Sequence, residues 1–127
     1  LLGSGLGTFP IAFTTVQTTF LGKFVNHAHN DYLEFASDLG VPAAILLFGS
    51  IAAVFVRLAS KIASASVSFE KAAALGCLGA IAAILLHSLA DFNLYIPANA
   101  LVFSCILGLA AAICAPGPEN FRTPREA

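Results

Sequence analysis

Charged side chains are scarce in this sequence: they make up 10% of the 127 residues, whereas hydrophobic residues make up 58%. A soluble globular domain normally carries about a quarter charged residues, because its surface must face water. The mean hydropathy of +0.88 fits the same deficit. A lipid bilayer is therefore the expected solvent for most of the chain. The net charge of -1 gives no signal for nucleic acid, and we expect no nucleic acid partner.

The sequence also lacks a cysteine motif of the CxxC type and a recognisable targeting segment. The three cysteines lie inside apolar runs and form no CxxC pair, and an odd number cannot all pair within one chain. We interpret them as small apolar side chains without a redox role. The chain begins without Met and has no basic segment followed by a short apolar stretch and a cleavage site. We expect a piece of a longer protein, so a site completed by upstream segments would be only partly contained in it.

Three stretches are long and apolar enough to cross a bilayer, which takes about 20 residues. They cover about residues 41–59, 72–90 and 98–115. Pro97 is expected to open the third stretch, and Pro116 to stop it. The first stretch is short, so its Arg side chain would have to reach the interface to keep its charge in water.

These stretches predict an all-α fold class, namely a polytopic membrane protein fragment. Residues 1–40 are expected to form a loop that ends in a short interfacial helix over residues 31–39. Residues 41–115 would hold the three transmembrane helices, and residues 116–127 would form a tail.

The distribution of Lys and Arg predicts the orientation in the membrane. Most of these residues lie between the first two spans and in the tail, and a cytoplasmic excess of Lys and Arg sets orientation. Residues 60–71 and the tail are therefore expected in the cytoplasm, and residues 1–39 and 91–97 on the opposite side. The polar clusters around His29 and around Asp91 then lie on one side of the membrane.

The segment NDYLEFASDLG contains the start and stop signals of a short helix. Asp31 is expected to cap it, with Glu34 as the capping-box partner. Gly40 is expected to end it in a left-handed conformation, and Pro42 to sit in the first turn of the next helix. Its apolar face is predicted to contain Tyr32, Leu33, Phe35, Ala36 and Leu39.

Small residues recur along the second span at helical spacing. Steps of three and four place them on one helical face, which continues to His87 and Asp91. Small residues let helices approach closely in lipid, so we expect this face, with His87 and Asp91, to be packed. The small residues are Ala72, Gly76, Ala80 and Ala83.

The sequence HAHND places His27, His29 and Asp31 at the HxHxD spacing of binuclear metallohydrolases. Such a site needs a further His where this chain has Tyr32, and it belongs to an α/β sandwich. Imidazole and carboxylate can bind zinc, but no strand-rich scaffold is predicted. We therefore expect neither a metal nor a cofactor. The simplest alternative is that these histidines are hydrogen-bonded, inert interfacial groups.

A functional site is the competing interpretation. Ionisable groups at membrane depth are costly and usually mark function, and imidazole titrates near neutral pH. His87 and Asp91 lie one helical turn apart and are either a proton relay, a His oriented by its carboxylate, or a buried pair that holds the second span against its neighbours.

Residues His29 and Asn30, followed by nine residues and then Gly40, resemble a motif of the O-antigen ligase and O-antigen polymerase family. These are bacterial membrane glycosyltransferases, and the motif ends their large periplasmic loop. The segments GSGLGTFP and HSLADFNLYIPANA also resemble members of this family, whose C-terminal part the chain would represent. Ala43 is a mild departure, because the family has Gly, Thr or Tyr there.

The resemblance implies a fold of the GT-C type and a glycan transfer without a metal. The glycan would come from a polyprenyl-diphosphate carrier and pass to a hydroxyl of a lipid A core, a polysaccharide or a protein. The reaction would take place at the periplasmic face of the bacterial inner membrane, among membrane lipids. The diphosphate-binding arginines of the family lie upstream of Leu1, and this chain has no Arg before Arg57.

His29 matches the motif histidine and is expected to deprotonate or orient the acceptor hydroxyl. The candidate catalytic residues are His29, His27 and Asn30, and the candidate supporting residues are Asp31, Glu34, His87, Asp91 and Asn93. Two alternatives remain open. One is a transporter or channel segment in which His87 and Asp91 relay protons, and the other is a purely structural membrane module.

Overall fold

The computed structural model describes residues 2–19, 22–64 and 66–115. The predicted tail over 116–127 lies outside these residues, as does the stop at Pro116. The predicted all-α class is confirmed, since the described residues contain no strand. Within these residues, five α-helices and a 3₁₀ turn follow one another in the order α1 (Phe9–Val16), α2 (Asp31–Leu39), α3 (Val41–Ser64), α4 (Phe69–His87), the 3₁₀ turn (Asn93–Tyr95) and α5 (Pro97–Cys114).

The helices α3, α4 and α5 are each long and apolar enough to cross a membrane, with mean hydropathies of 2.1, 1.8 and 2.0. The predicted multi-pass architecture therefore agrees with the three long helices. Pro97 is the first residue of α5, as predicted. Its fixed φ suits the first turn of a helix, where its missing N–H leaves no hydrogen bond unmade.

Two of the predicted boundaries differ from the structure. The helix α3 continues to Ser64 instead of ending near residue 59, because Lys61 in its last turn donates a hydrogen bond to the carbonyl of Ile113 and pairs with Glu70 at 2.8 Å. The helix α4 covers Phe69–His87 rather than 72–90. It begins earlier because the Ser68 side chain caps it.

A small apolar core joins the three long helices. Seven buried side chains from all three helices form one cluster, consisting of Ile51, Leu58, Ala74, Cys77, Ile81, Phe103 and Ala110. The rest of the helix surface remains apolar and exposed, as at Ile45, Leu46 and Leu101. Such a surface suits contact with acyl chains, since its side chains are apolar. The backbone of a helix also needs no hydrogen bonds from the lipid, because each helix satisfies its own backbone groups.

The stripe of small residues on α4 does not face this core, so that expectation was wrong. Its buried face carries Ala74, Cys77 and Ile81, whereas Ala72 and Gly76 are exposed. The helix is apolar around most of its circumference, so hydrophobic periodicity could not select the inward face.

The break between α2 and α3 is a single residue. Gly40 has a φ of 87° and a ψ of 156°, so the φ is positive as expected, but the ψ is extended rather than left-handed helical. Gly3 passes directly beside this break. A Cβ atom on Gly3 would collide with the carbonyl oxygen of Asp38 and the amide nitrogen of Gly40. The N-terminal segment therefore lies against the end of α2.

Candidate functional site

Most of the polar groups with tertiary partners lie at one end of the bundle, where α2 meets the connection from α4 to α5. We call this layer the polar cap; it comprises the described residues up to Gly40 and residues 88–97. The clusters around His29 and Asp91 both belong to it, as predicted from the sequence. The opposite end of the bundle carries the pair of Lys61 and Glu70.

The buried face of α2 is acidic, a feature that was not predicted from the sequence. Asp31, Glu34 and Asp38 are almost completely buried, whereas Leu33 is 66% exposed. Residues three, four and seven positions apart share one helical face. Buried carboxylates must be hydrogen-bonded or paired, and each of these three contacts a different segment of the polar cap.

Asp31 connects α2 to the chain that follows α4. Its Oδ2 accepts a hydrogen bond from the Ser88 hydroxyl at 2.6 Å, and both oxygens face the amide of Leu94 at 3.2 Å. Its own amide donates to the carbonyl of Ser88. Burial raises the pKa of the Asp31 carboxyl above its ordinary value, and the hydrogen bonds from Ser88 and Leu94 oppose that rise.

Asp31 does not cap α2, contrary to the prediction. Asn30 is the N-cap, since its side-chain oxygen accepts the amide hydrogen of Leu33 at 3.0 Å. The side-chain nitrogen of Asn30 donates to the carbonyl of Leu89 at 2.9 Å. Asn30 therefore begins the helix and also holds the loop after α4, which gives it a positioning role.

Glu34 holds the histidine loop and forms no capping box. Its Oε1 lies 2.7 Å from Nδ1 of His27, and its Oε2 accepts the amide hydrogen of Ala28 at 2.8 Å. The imidazole of His27 stacks on Phe92, with 4.2 Å between ring centroids and 10° between the planes. His27 is thus fixed from two sides and supports the loop that carries His29.

Asp38 joins the N-terminal segment to the 3₁₀ turn. Its Oδ2 accepts hydrogen bonds from the amide of Gly7 at 2.5 Å and from the Tyr95 hydroxyl at 2.8 Å. Burial, and next the hydrogen bond to Asp38, raise the pKa of Tyr95 well above its ordinary value. The Tyr95 hydroxyl therefore stays protonated and keeps donating. The second oxygen, Oδ1, is buried without a hydrogen-bond partner in the described structure.

The aromatic side chains of α2 pack on the bundle beneath. The Tyr32 hydroxyl donates to the carbonyl of Leu85 at 2.7 Å, and its ring lies 4.5 Å from that of Phe48. Burial raises the pKa of Tyr32. Phe35 contacts both Phe48 and Tyr95. Two residues of the predicted apolar face of α2, Tyr32 and Phe35, therefore pack on other parts of the structure, beside the acidic face of the helix.

His29 has a backbone conformation that side chains rarely adopt. Its φ is 50°, and it is the only residue other than glycine with a positive φ among those described. This left-handed conformation is costly for a residue with a Cβ, and such strain concentrates at functional sites. The turn carries the imidazole outward, where its side chain is 70% exposed. The ring touches Phe92 edge-on at 5.1 Å.

Asp91 lies between two histidines. Its Oδ1 is 3.8 Å from Nδ1 of His29, and its Oδ2 is 3.5 Å from Nε2 of His87. The Asp91 side chain is 36% exposed and that of His87 is 61% exposed. The expectation that these two residues lie on a packed face is therefore wrong for the described chain. The structure instead adds His29 to the pair that the sequence had suggested.

Asn93 is the remaining candidate and lies inside the polar cap. Its Oδ1 accepts a hydrogen bond from Asn99 at 3.3 Å, which ties the 3₁₀ turn to the first turn of α5. Its Nδ2 is buried without a hydrogen-bond partner in the described structure. The hydrogen bond to Asn99 gives Asn93 a role in the fold of the connection.

Both loop histidines border one open cavity of about 440 Å³. His29 and His27 form one side of it, and Phe92 lies beneath them. The rest of its wall comes from Lys23, Phe24, Val25 and Asn26. A cavity of this size admits a small-molecule ligand. It places His29 where a ligand outside the bundle would meet the imidazole.

The HxHxD residues do not converge on a common point. His27 contacts Glu34, His29 faces Asp91, and Asp31 is held by Ser88. Within the described residues there is no group of three or more His, Cys, Asp or Glu that could hold a metal ion.

Four contributors to the site were not singled out from the sequence, namely Asp38, Ser88, Phe92 and Tyr95. Asp38 had a usable signal, since it follows Asp31 by seven residues and Glu34 by four and therefore lies on the same helical face. The other three have no such signal, because their roles depend on contacts with residues more than fifty positions away.

Comparison with known proteins gives no relative for this chain. No protein-family model, no curated protein and no solved structure matches it.

Proposed function

We propose that this chain belongs to a membrane glycosyltransferase of the O-antigen ligase and O-antigen polymerase type. The enzyme transfers a glycan from a polyprenyl-diphosphate carrier to an acceptor hydroxyl, at the periplasmic face of the bacterial inner membrane. The observation that carries the proposal is the setting of His29, an exposed imidazole that borders an open cavity with the Asp91 carboxylate 3.8 Å from its Nδ1. The motif of His29, Asn30 and Gly40 supports the same assignment.

In this proposal His29 is the general base. The Asp91 carboxylate favours the tautomer with the proton on Nδ1, which leaves the lone pair of Nε2 for the acceptor hydroxyl. The hydroxyl proton passes to Nε2 while the acceptor oxygen bonds to the anomeric carbon. The bond from that carbon to the phosphate oxygen breaks, and polyprenyl diphosphate leaves with the bonding electrons. Loss of the proton from His29 to water restores the base.

The other two candidate catalytic residues become positioning residues. His27 is held by Glu34 and stacked on Phe92, which supports a role in fixing the loop rather than in proton transfer. Asn30 holds the carbonyl of Leu89, and this contact keeps the loop of Asp91 beside that of His29. A base that is held in place in this way loses less orientational freedom in the reaction.

The leaving diphosphate needs positive charge, and most of it must come from elsewhere. Lys23 borders the cavity and is the only Lys or Arg before Arg57. The family resemblance assigns the remaining cations to arginines upstream of Leu1. An apolar cavity of about 350 Å³ between α4 and α5, lined by Ala83 and Phe103 among others, suits the first units of an isoprenoid tail.

The transporter alternative has less support. A proton path through the bundle needs titratable groups along its length. Residues 41–56, 72–86 and 97–114 of the three long helices contain no Asp, Glu, His, Lys or Arg. These stretches of the helices therefore offer no titratable side chain that could extend a proton path from His87 and Asp91 through the bundle.

The test is the variant His29→Ala in the full-length protein. We expect it to insert normally and to lose glycan transfer by about a hundredfold or more, the usual contribution of general acid–base catalysis. His87→Ala is the discriminating comparison, since a proton relay would lose pH-dependent flux in that variant and would not need His29. Normal glycan transfer by His29→Ala would contradict the proposed function.

A further inference from the structure

We propose that the polar cap holds two adjacent subsites for an acceptor glycan of at least two sugar units. The inference rests on the proposed function and extends it to the length of the acceptor. The histidine cavity, described above, is the first subsite. A second cavity of about 500 Å³, which we call the threonine cavity, is lined by Thr14, Gln17, Thr19, Gly22, Lys23 and Phe24.

The two cavities are neighbours because they share a wall. Lys23 and Phe24 line both of them. A ligand too long for the histidine cavity therefore enters the threonine cavity when it passes these two side chains. Since His29 borders only the first cavity, the reacting sugar lies there, and the sugar before it lies across the wall.

The lining has the chemistry that a sugar ring requires. A sugar presents hydroxyl groups at its rim and apolar C–H groups on its faces. Phe24 is 67% exposed between the cavities, and an aromatic ring offers an apolar face to such C–H groups. No carboxylate lines either cavity in the described part of the chain.

The polar groups of the threonine cavity are already oriented. The Thr14 hydroxyl donates to the carbonyl of Ile11 at 2.7 Å, so its lone pairs point away as acceptors. The side-chain nitrogen of Gln17 donates to the carbonyl of Thr19 at 2.6 Å. An amide so held has a second N–H and a carbonyl oxygen to offer. Neutral donors and acceptors of this kind match sugar hydroxyl groups.

The two cavities are assigned to the acceptor glycan because of the proposed role of His29 as the base. His29 takes its proton from the attacking hydroxyl, so the glycan beside it must carry that hydroxyl. The threonine cavity lies beyond Lys23 and Phe24 from the imidazole, and it therefore receives the acceptor sugar one unit behind the reacting one.

The test compares acceptors of one and two sugar units. The acceptors are released by mild acid from the surface glycan of the host cell and separated by size. They are given, together with the polyprenyl-diphosphate-linked glycan donor, to the full-length protein in liposomes. The variant Thr14→Ala removes a hydrogen-bonding group from the threonine cavity. We expect the KM of the two-unit acceptor to rise about three- to tenfold, the value of one hydrogen bond. Its kcat, and the KM of the one-unit acceptor, should stay unchanged.

The chain supplies a matched control in Thr15. The Thr15 hydroxyl is exposed and donates to the carbonyl of Ala12 at 2.7 Å, as Thr14 does to Ile11, but Thr15 does not line the cavity. Thr15→Ala should leave both KM values unchanged. Gln17→Ala repeats the test with a second lining residue if Thr14→Ala is unstable.

The outcomes separate this inference from the proposed function. Equal KM changes for both acceptors, or the same effect from Thr14→Ala and Thr15→Ala, would overturn the two-subsite arrangement and leave the role of His29 intact. A calorimetric titration of the inactive His29→Ala variant gives an independent readout, in which the two-unit glycan must bind more tightly than the one-unit glycan. An unaltered protein that transfers nothing to either acceptor would overturn both proposals.

Discussion

Nδ1 of His29 lies 3.8 Å from Oδ1 of Asp91, although the two hairpin helices α3 and α4 separate these residues along the chain. Neither Asp31 nor Glu34, the acids nearest to His29 in the sequence, faces its imidazole, since Asp31 holds Ser88 and Glu34 holds His27. The proposed base therefore receives its carboxylate from the loop after α4.

Asp91→Asn tests this pairing. The amide keeps the shape of the side chain but removes the charge beside Nδ1, so we expect kcat for glycan transfer to fall by about ten- to a hundredfold, while the KM of the acceptor changes little. Glu70→Gln is the control, because it removes one exposed acid at the opposite end of the bundle. An unchanged kcat in the Asp91→Asn variant would show that the proposed base acts without this carboxylate.

His29→Gly separates strain from function. Glycine adopts a positive φ without steric cost, so we expect the variant to be more stable than the unaltered protein by about 1 kcal/mol. Thermal unfolding in detergent micelles measures this gain. Glycan transfer should be lost in the same variant. A clear loss of stability would mean that the imidazole stabilises the fold, and it would contradict the interpretation of His29 as a strained functional residue.

His27→Ala should act in the opposite way. The substitution leaves the buried Glu34 without its imidazole partner and removes the ring that stacks on Phe92. We expect a loss of about 1–3 kcal/mol in the free energy of unfolding, the cost of an unsatisfied buried polar group. The double variant His27→Ala with Glu34→Gln should recover part of that loss, because the neutral amide is cheaper to bury. Equal stabilities of the two variants would contradict the pairing.

The raised pKa of Asp31 predicts a pH dependence with a definite sign. Between the ordinary value of 3.8 and the raised value in the folded protein, the folded state binds more protons than the unfolded state. The free energy of unfolding must then rise as the pH falls through this window and decline as the pH rises. Denaturant titrations at several pH values measure the slope. In Asp31→Asn the Asp31 contribution to this slope should disappear, and a slope equal to that of the unaltered protein would contradict the assignment.

Gly3→Ala tests whether the N-terminal segment is fixed to α2. The new Cβ atom would collide with the backbone of Asp38 and Gly40, so the segment must move away and lose its hydrogen bonds to Ser37 and Asp38. Gly7→Ala is a matched control, because Gly7 also has a positive φ but has no atom within 4 Å of the added Cβ. Limited proteolysis should cleave near residue 3 much faster in Gly3→Ala than in Gly7→Ala. Equal rates would show that the close approach is unimportant.

Parts of the site were predictable because they depend on order along the chain. The motif of His29 and Asn30 and the pair of His87 and Asp91 could be read directly. The acidic residues of α2 form its buried face, which was not predicted from the sequence. Amphipathic analysis assumes that polar residues face water, and this assumption does not hold where carboxylates satisfy the backbone amides of three other segments.

The sequence by itself determined the number of long helices, their approximate limits and the location of the polar clusters at one end of the bundle. Hydrophobic length decides these features, because a bilayer of fixed thickness requires a minimum run of apolar residues. Only the tertiary structure decided that Asp91 faces His29, that Glu34 faces His27 and that Asp31 holds Ser88. Four acids and three histidines within reach of one layer allow many pairings, and the packing of α2 on the ends of α4 and α5 selects one of them.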